Sequence, residues 1–206
     1  MNLLIKANEN QKRELLKKGF GSNAVYWYEI DEIPDSLSFD AFITLEDNCI
    51  TIFDKAMHKP VLTGDESLTL KELPVDYIRI NAWPGFLEKE IVEISTRAEF
   101  KQQAGNILDA LSWKYTWAQD KKGMIGQRIL SMIINEAYYA LQENLSTREE
   151  IDYAMKLGTN YPFGPFEWAQ KIGLINICQV LKAFAENDAR YTICSILQEE
   201  AFRGNE

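Results

Sequence analysis

Residues 151–173 read IDYAMKLGTNYPFGPFEWAQKIG, a helix, a stop, a short connection and a second helix. Upstream, Ser146 is placed to cap the first helix and Glu149 to complete a capping box. Ile151, Ala154 and Met155 recur three to four residues apart and predict one apolar face. Gly158 suits the left-handed position that ends a helix. Pro162 cannot continue that helix, and Pro165 fits the first turn of the next. Phe163, Phe166 and Trp168 supply large apolar side chains for burial at this corner. From the residues alone, this is a helical corner in a core.

The rest of the chain sets the bounds. Its 206 residues are enough for one or two domains with a real core. A formal charge of -9 disfavours nucleic acid and anionic membrane as general partners. Cys49, Cys178 and Cys194 are odd in number and far apart, so neither a disulfide framework nor a zinc cluster is expected. The opening MNLLIKANENQKR holds too short an apolar run for a signal peptide. No stretch is long enough to span a bilayer, and a reducing cytoplasm is the expected setting. No internal repeat is visible.

Leu3–Lys6 is predicted as a strand and residues 8–18 as a helix, capped by Asn8, with Leu15 and Leu16 turned inward. Lys12, Arg13, Lys17 and Lys18 make one face of it basic. That pattern suits a phosphate patch or a solvated face, and the solvated face is the better account. Gly19-Phe20-Gly21-Ser22-Asn23-Ala24 spells G-x-G-x-x-A. A dinucleotide fingerprint leaves a strand and opens a helix, whose first amides hold the pyrophosphate. This copy closes a helix and enters a strand, so it reads as a helix stop.

Further strands are expected at residues 24–30, 41–45, 50–53, 60–63, 77–81, 91–94 and 113–118. Alternation with helical segments predicts an α/β layer, although several helices of a full doubly wound sheet are missing. His58, the sole histidine, sits in a polar turn and makes a poor metal site; no metal is expected. Thr96 and Glu99 form a second capping box before a helix with Phe100, Ala104, Ile107, Leu108 and Leu111 on one face. Residues 125–141 form a longer helix that is apolar nearly all round, which predicts burial on several sides or against a partner chain. Residues 174–185 and 188–202 read as two closing helices.

The string from Asn135-Glu136-Ala137 through Ala140-Leu141 to Gly173 resembles the C-terminal domain of the 3-hydroxyacyl-CoA dehydrogenase family. There a phrase close to NEA…AL…S.EDID.AMKLG…P.GPFE follows a nicotinamide-binding domain. The resemblance extends back to PVDYIRINAWPGFLEKEIVEIS, similar to the family's G.HFFNP…LVEV. It implies a two-part fold: a shortened, degenerate Rossmann-like α/β domain over residues 1–119, then an all-α helical domain over residues 120–206. It also implies where the catalytic residues would fall. The family's general-base histidine aligns with Asn81, which cannot take up a proton at neutral pH. The supporting glutamate aligns with Glu93, which equally suits an edge-strand carboxylate. The family's G-F-x-x-N-R is similar to Gly123-Met124-Ile125-Gly126-Gln127-Arg128 and places the carbonyl-side asparagine at Gln127, one methylene longer.

Two functions from different classes follow. One is a non-catalytic relative, binding no cofactor and kept for binding an acyl-CoA or a partner, or as a dimeric module. The other is an active dehydrogenase using NAD. The absent fingerprint and Asn81 favour the first. Assembly as a homodimer through the helical domain is expected, with Met132, Ile133, Phe166 and Trp168 at the interface.

Overall fold

The computed structural model describes residues 1–28, 38–45, 59–65, 68–186 and 188–203. Its chain divides into two compact units, Met1–Met124 and Ile125–Glu206. The strand expected at residues 50–53, and His58 and Cys49, lie outside the described residues.

The first unit is built on a seven-stranded sheet. Its strands are β1 (Asn2–Lys6), β2 (Ala24–Trp27), β3 (Ala41–Thr44), β4 (Val61–Thr63), β5 (Tyr77–Ile80), β6 (Ile91–Ser95) and β7 (Lys114–Trp117). Their order is β2-β1-β3-β4-β5-β6-β7. All neighbours run parallel except β5 and β6. Leu3, Leu4 and Ile5 are buried together on β1, as expected of an interior parallel strand covered on both faces.

Helix α1 (Glu9–Lys18) connects β1 to β2 and α2 (Lys101–Ala110) precedes β7. One sheet face carries Leu3, Ile5, Ile43, Leu62, Ile78, Ile80, Val92 and Ile94 in a single cluster with Leu15, Ala104, Ile107 and Leu108. The opposite face packs Leu4, Phe42, Val61 and Tyr77 with Phe39 and Leu73. Gly19 ends α1 at φ 81, as the helix-stop reading expects. Gly21 is held at φ 59, where an added Cβ would lie 2.9 Å from the Ala110 carbonyl oxygen.

Two sequence expectations are corrected here. Leu16 is 59% exposed, whereas Leu15 alone of the pair enters the core; adjacent helical residues point about 100° apart. The Thr96–Glu99 capping box does not form. Thr96 instead donates to the Tyr77 carbonyl, and a 3-10 turn over Ala98–Phe100 leads into α2.

The second unit comprises α3 (Ile125–Gln142), α4 (Arg148–Thr159), α5 (Pro165–Ile172), α6 (Leu174–Ala185) and α7 (Ser195–Phe202). On α3 the buried set is Gln127, Leu130, Ser131, Ile134, Asn135, Ala137 and Tyr138, a single stripe. Ile125 and Ile129 are exposed, so the helix is not covered all round. The expected second closing helix is broken. Residues 189–191 form a 3-10 turn, and α7 starts only at Ser195. The Asn135 amide accounts for the break: it donates to the Thr192 carbonyl and accepts from Cys194 N–H, fixing the bend.

The 151–173 corner folds as two helices with its caps displaced. Thr147, not Ser146, is the N-cap of α4, and Glu150, not Glu149, closes the box. Ser146 donates to the Glu150 carboxylate from outside. Asn160 at φ 55, not Gly158, takes the left-handed position at the end. Ile151 and Met155 are half-buried while Ala154 is exposed, so the predicted apolar face of α4 is only partly used. Pro165 opens α5 as expected.

Candidate functional site

In the first unit, β5 and β6 bring two of the three candidate catalytic residues together. Their antiparallel register pairs Arg79 with Ser95 and Ile80 with Ile94. The ladder continues one residue further, where Asn81 N–H donates to the Glu93 carbonyl at 3.0 Å. Residues directly opposite on such a pair share a sheet face, with Cβ atoms roughly 5 Å apart. Asn81 and Glu93 therefore sit side by side on β5 and β6.

Their chemistry differs from a base and its support. The Asn81 Oδ1 accepts from Trp83 N–H at 3.3 Å, which fixes the amide's orientation. Its Nδ2 is buried with no hydrogen-bond partner among the described residues. An amide so held presents a donor and no basic lone pair. Half-buried Glu93 lies near Lys89, whose ammonium burial pushes below the usual lysine range while the Glu93 carboxylate pushes it back up.

The same sheet face holds further polar groups that the sequence reading missed. Arg79 is 1% exposed; its Nη1 donates to Asp120 at 2.8 Å and to the Lys121 carbonyl at 2.9 Å. Its Nε has no partner among the described residues, nor does the buried Thr44 hydroxyl. A buried polar atom left unpaired costs about 1–3 kcal/mol. Arg79 was legible by parity alone, standing two residues before Asn81 on one strand.

The place where a doubly wound sheet would seat a dinucleotide is the β1–α1 turn, Lys6-Ala7-Asn8-Glu9, beside the point where strand order reverses between β1 and β3. It has no glycine. Asn8 Oδ1 accepts from Gln11 N–H and Gln11 Oε1 accepts from Asn8 N–H, both at 3.0 Å, so the chain caps its own amides. Gln11 Nε2 also donates to the Leu45 carbonyl at 2.9 Å, tying the first turn of α1 to the end of β3. Glu9 adds a negative charge to the first turn. These residues do not fit a pyrophosphate, which needs free amides and an open glycine turn.

Three of the four basic side chains on α1 are engaged within the unit. Lys17 pairs with Glu88 at 2.9 Å, Lys18 donates to the Lys89 carbonyl, and Lys12 lies over the Trp27 ring.

Gln127, the third candidate, belongs to the second unit, where it lies buried in the first turn of α3. The corner at 151–173 is held by mutual capping. Both Asp152 carboxylate oxygens accept backbone amides of α5, from Phe166 at 2.8 Å and from Glu167 at 3.2 Å. Glu167 accepts from Gly164 N–H at 2.9 Å and pairs with Lys156. Hydrogen bonds from Lys156 and from Gly164 hold its carboxyl below the usual glutamate range. A Cβ on Gly164 would stand 2.3 Å from the Asp152 carboxyl carbon, so that position admits only glycine. Asp152, Lys156, Gly164, Pro165 and Glu167 thus form one structural unit, and none of them needs a catalytic role to explain its presence.

Beside this corner is an open cleft of about 510 Å³ lined by Tyr138, Arg148, Phe166, Gln170, Leu174 and Glu200 among others. The Arg148 guanidinium lies over the Tyr138 and Phe166 rings and pairs with Glu200. The Tyr138 hydroxyl donates to Glu200 at 3.0 Å. Burial, with the Glu200 carboxylate, pushes it up to about 12 against the opposing Arg148. Phe166 and Trp168, expected at a partner interface, are buried within the chain at 9% and 4% exposure. Among the described residues no three His, Cys, Asp or Glu side chains are grouped to hold a metal. No described helix is long and apolar enough to cross a membrane.

Comparison with known proteins separates the two units. Residues 123–204 match the family described as 3-hydroxyacyl-CoA dehydrogenase, C-terminal domain. The 3-hydroxyadipyl-CoA dehydrogenase of Escherichia coli is 40% identical over 84 residues, which is 40% of this chain and 18% of that protein. The 3-hydroxybutyryl-CoA dehydrogenase of Bradyrhizobium diazoefficiens is 40% identical over 82 residues, 39% of this chain and 28% of that protein. The matches thus span well under a third of these relatives' lengths. The fold likeness reaches further. The (S)-3-hydroxybutyryl-CoA dehydrogenase of Ralstonia eutropha superposes with a TM-score of 0.74 at 17% identity, covering 98% of this chain and 94% of that one. The architecture is the expected one, a Rossmann-like α/β unit and a helical unit. The sequence likeness is thus confined to residues 123–204, which are similar to the C-terminal domain of the 3-hydroxyacyl-CoA dehydrogenase family.

Proposed function

We propose that this chain is a non-catalytic relative of the 3-hydroxyacyl-CoA dehydrogenases, retained for binding an acyl-CoA or a protein partner or as a dimeric module, with no nicotinamide cofactor. One observation carries the reading: the position aligned with the general base is Asn81, whose Oδ1 is engaged by Trp83 N–H and whose Nδ2 can only donate. A positioned general base contributes about 10²–10⁴-fold to rate, and Asn81 forfeits that contribution at its position. The self-capped α1 N-terminus supports the absence of NAD in the same reading.

The test is oxidation of 3-hydroxybutyryl-CoA with NAD, followed by absorbance of the reduced nicotinamide. No turnover is expected, and Asn81→His is expected to stay silent because the cofactor seat is missing too. NADH appearing in the native chain would establish the active dehydrogenase instead. NADH appearing only in the variant would show a working nucleotide site.

Assembly as a homodimer through the helical unit remains part of the proposal. Its support is the apolar surface left on that unit by Ile125, Ile129, Tyr153 and Leu157, all exposed. A reducing cytoplasm is the proposed setting, consistent with free, buried Cys178 and Cys194.

A further inference from the structure

We propose that the outer edge of β7 is a contact surface for a second copy of this chain, the two β7 strands pairing antiparallel about a twofold axis at Thr116. The surface belongs to the α/β unit and is separate from the helical-unit dimer proposed above.

Among the described strands, β7 stands at one end of the sheet, with β6 as its neighbour. Ala118 N–H donates to the Ile94 carbonyl at 2.7 Å. Successive residues of a strand aim their backbone groups at opposite edges, so Lys114 and Thr116 share the β6 side with Ala118. Tyr115 and Trp117 therefore turn their N–H and C=O groups outward. Among the described residues, no backbone hydrogen bond outside the β6 ladder takes them up. Trp117 is 38% exposed, and Lys114 and Thr116 are exposed as well, so the edge is open. A row of unpaired backbone groups of this kind is a template for another strand.

The register selects a second copy as the strand that fits. With Thr116 on the axis, Tyr115 lies opposite Trp117 of the second copy, and Trp117 lies opposite its Tyr115. Both are hydrogen-bonded pairs, each exchanging N–H and C=O, and Thr116 meets its own counterpart between them. An axis normal to the sheet keeps the aromatic side chains of both copies on one face. Tyr115 and Trp117 already pack edge to face at 5.5 Å, so the seam extends that packing from one copy into the next. Aromatic pairs and Thr–Thr pairs are among the favourable cross-strand neighbours. A lysine on an edge strand ordinarily discourages pairing. Here Lys114 falls opposite Ala118 of the second copy, outside the bonded pairs, and its ammonium is drawn to Glu90. Lys101 is held over the Trp117 ring at 5.2 Å. No like charges meet directly across the seam. The strand is four residues long and offers less than the about 1,600 Å² of a standard interface. The contact is thus weak alone and gains from any other link between copies.

Amide NMR of the intact chain, titrated with a blocked peptide of residues 113–119, Trp-Lys-Tyr-Thr-Trp-Ala-Gln, tests the edge without relying on any dimer. Saturable binding below about 1 mM is expected, with slowed exchange at the Tyr115 and Trp117 amides of the chain. N-methylating the peptide at both of those positions is expected to weaken binding about tenfold or more, because the seam loses its main-chain donors. N-methylation at the Thr116 position, whose N–H points away from the seam, should leave affinity within about twofold. These changes lie in the peptide, so the fold of the protein is untouched. No saturation up to several millimolar, equal loss on Thr116 methylation, or protection confined to other residues would overturn the proposal. A peptide of the same length alternating threonine and valine that bound as tightly would overturn the second copy as the occupant. Neither result bears on the cofactor or on the helical-unit dimer.

Discussion

Asp152 does most to hold the helical unit at its decisive corner. Its carboxylate answers two amides at the start of α5, and the Gly164 backbone lies against it with no room for a side chain. Asp152→Ala is expected to destabilise the chain by about 2 kcal/mol, from a lost cap and the amides left unpaired. Gly164→Ala should do comparable damage through the clash alone, and denaturant titration of both variants checks this. Tyr138 gives a second prediction, in pH. Burial raises its folded value to about 12 from 10.0, so its contribution is complete below pH 10 and is lost as pH climbs toward 12. Wild-type stability should fall relative to Tyr138→Phe across that window by on the order of 2 kcal/mol; parallel curves for the two proteins would reject the assignment. At this scale the sequence showed residue types but not pairings. Asn81 and Glu93 were legible because a known motif aligned them. Asp152 and Arg79 were not, because each acts through a partner distant in sequence.

Among elements, hydrophobic period and glycine or proline punctuation located nearly all the described helices and strands to within a residue or two. The misplacements share a cause: two side chains able to perform one local task. Ser146 and Thr147 both fit a cap, and Thr147 holds it with Glu150. Thr147→Ala should cost about 1 kcal/mol and Ser146→Ala only a few tenths, a difference that thermal unfolding of the two variants measures directly. Thr96 likewise had two roles open to it, accepting from an amide of the following turn or donating to a carbonyl, and it donates to that of Tyr77. The break before α7 was hidden because it depends on Asn135, 59 positions before its partner Cys194. Local propensity carries no trace of such a clamp.

For the molecule as a whole, a family-like helical unit is joined to an α/β unit whose nucleotide features are altered. The apolar surface of the helical unit argues for self-association, with half-buried Met132 and Ile133 on α3 near exposed Ile129. Ile133→Asp is expected to shift the protein toward monomer, read by light scattering at tens of micromolar; a native protein already monomeric there would contradict the dimer. The central claim, however, concerns the cofactor. The α/β class of the first unit was legible in the sequence, as was the reversed order of the glycine motif at residues 19–24; the strand order was not. The bond from Gln11 to the Leu45 carbonyl was not, since it joins residues 34 positions apart. Titration of the intact chain with NADH, followed by nicotinamide fluorescence or calorimetry, tests this account most directly. It predicts no saturable binding up to millimolar concentration, weaker than roughly -4 kcal/mol. Micromolar affinity would contradict it.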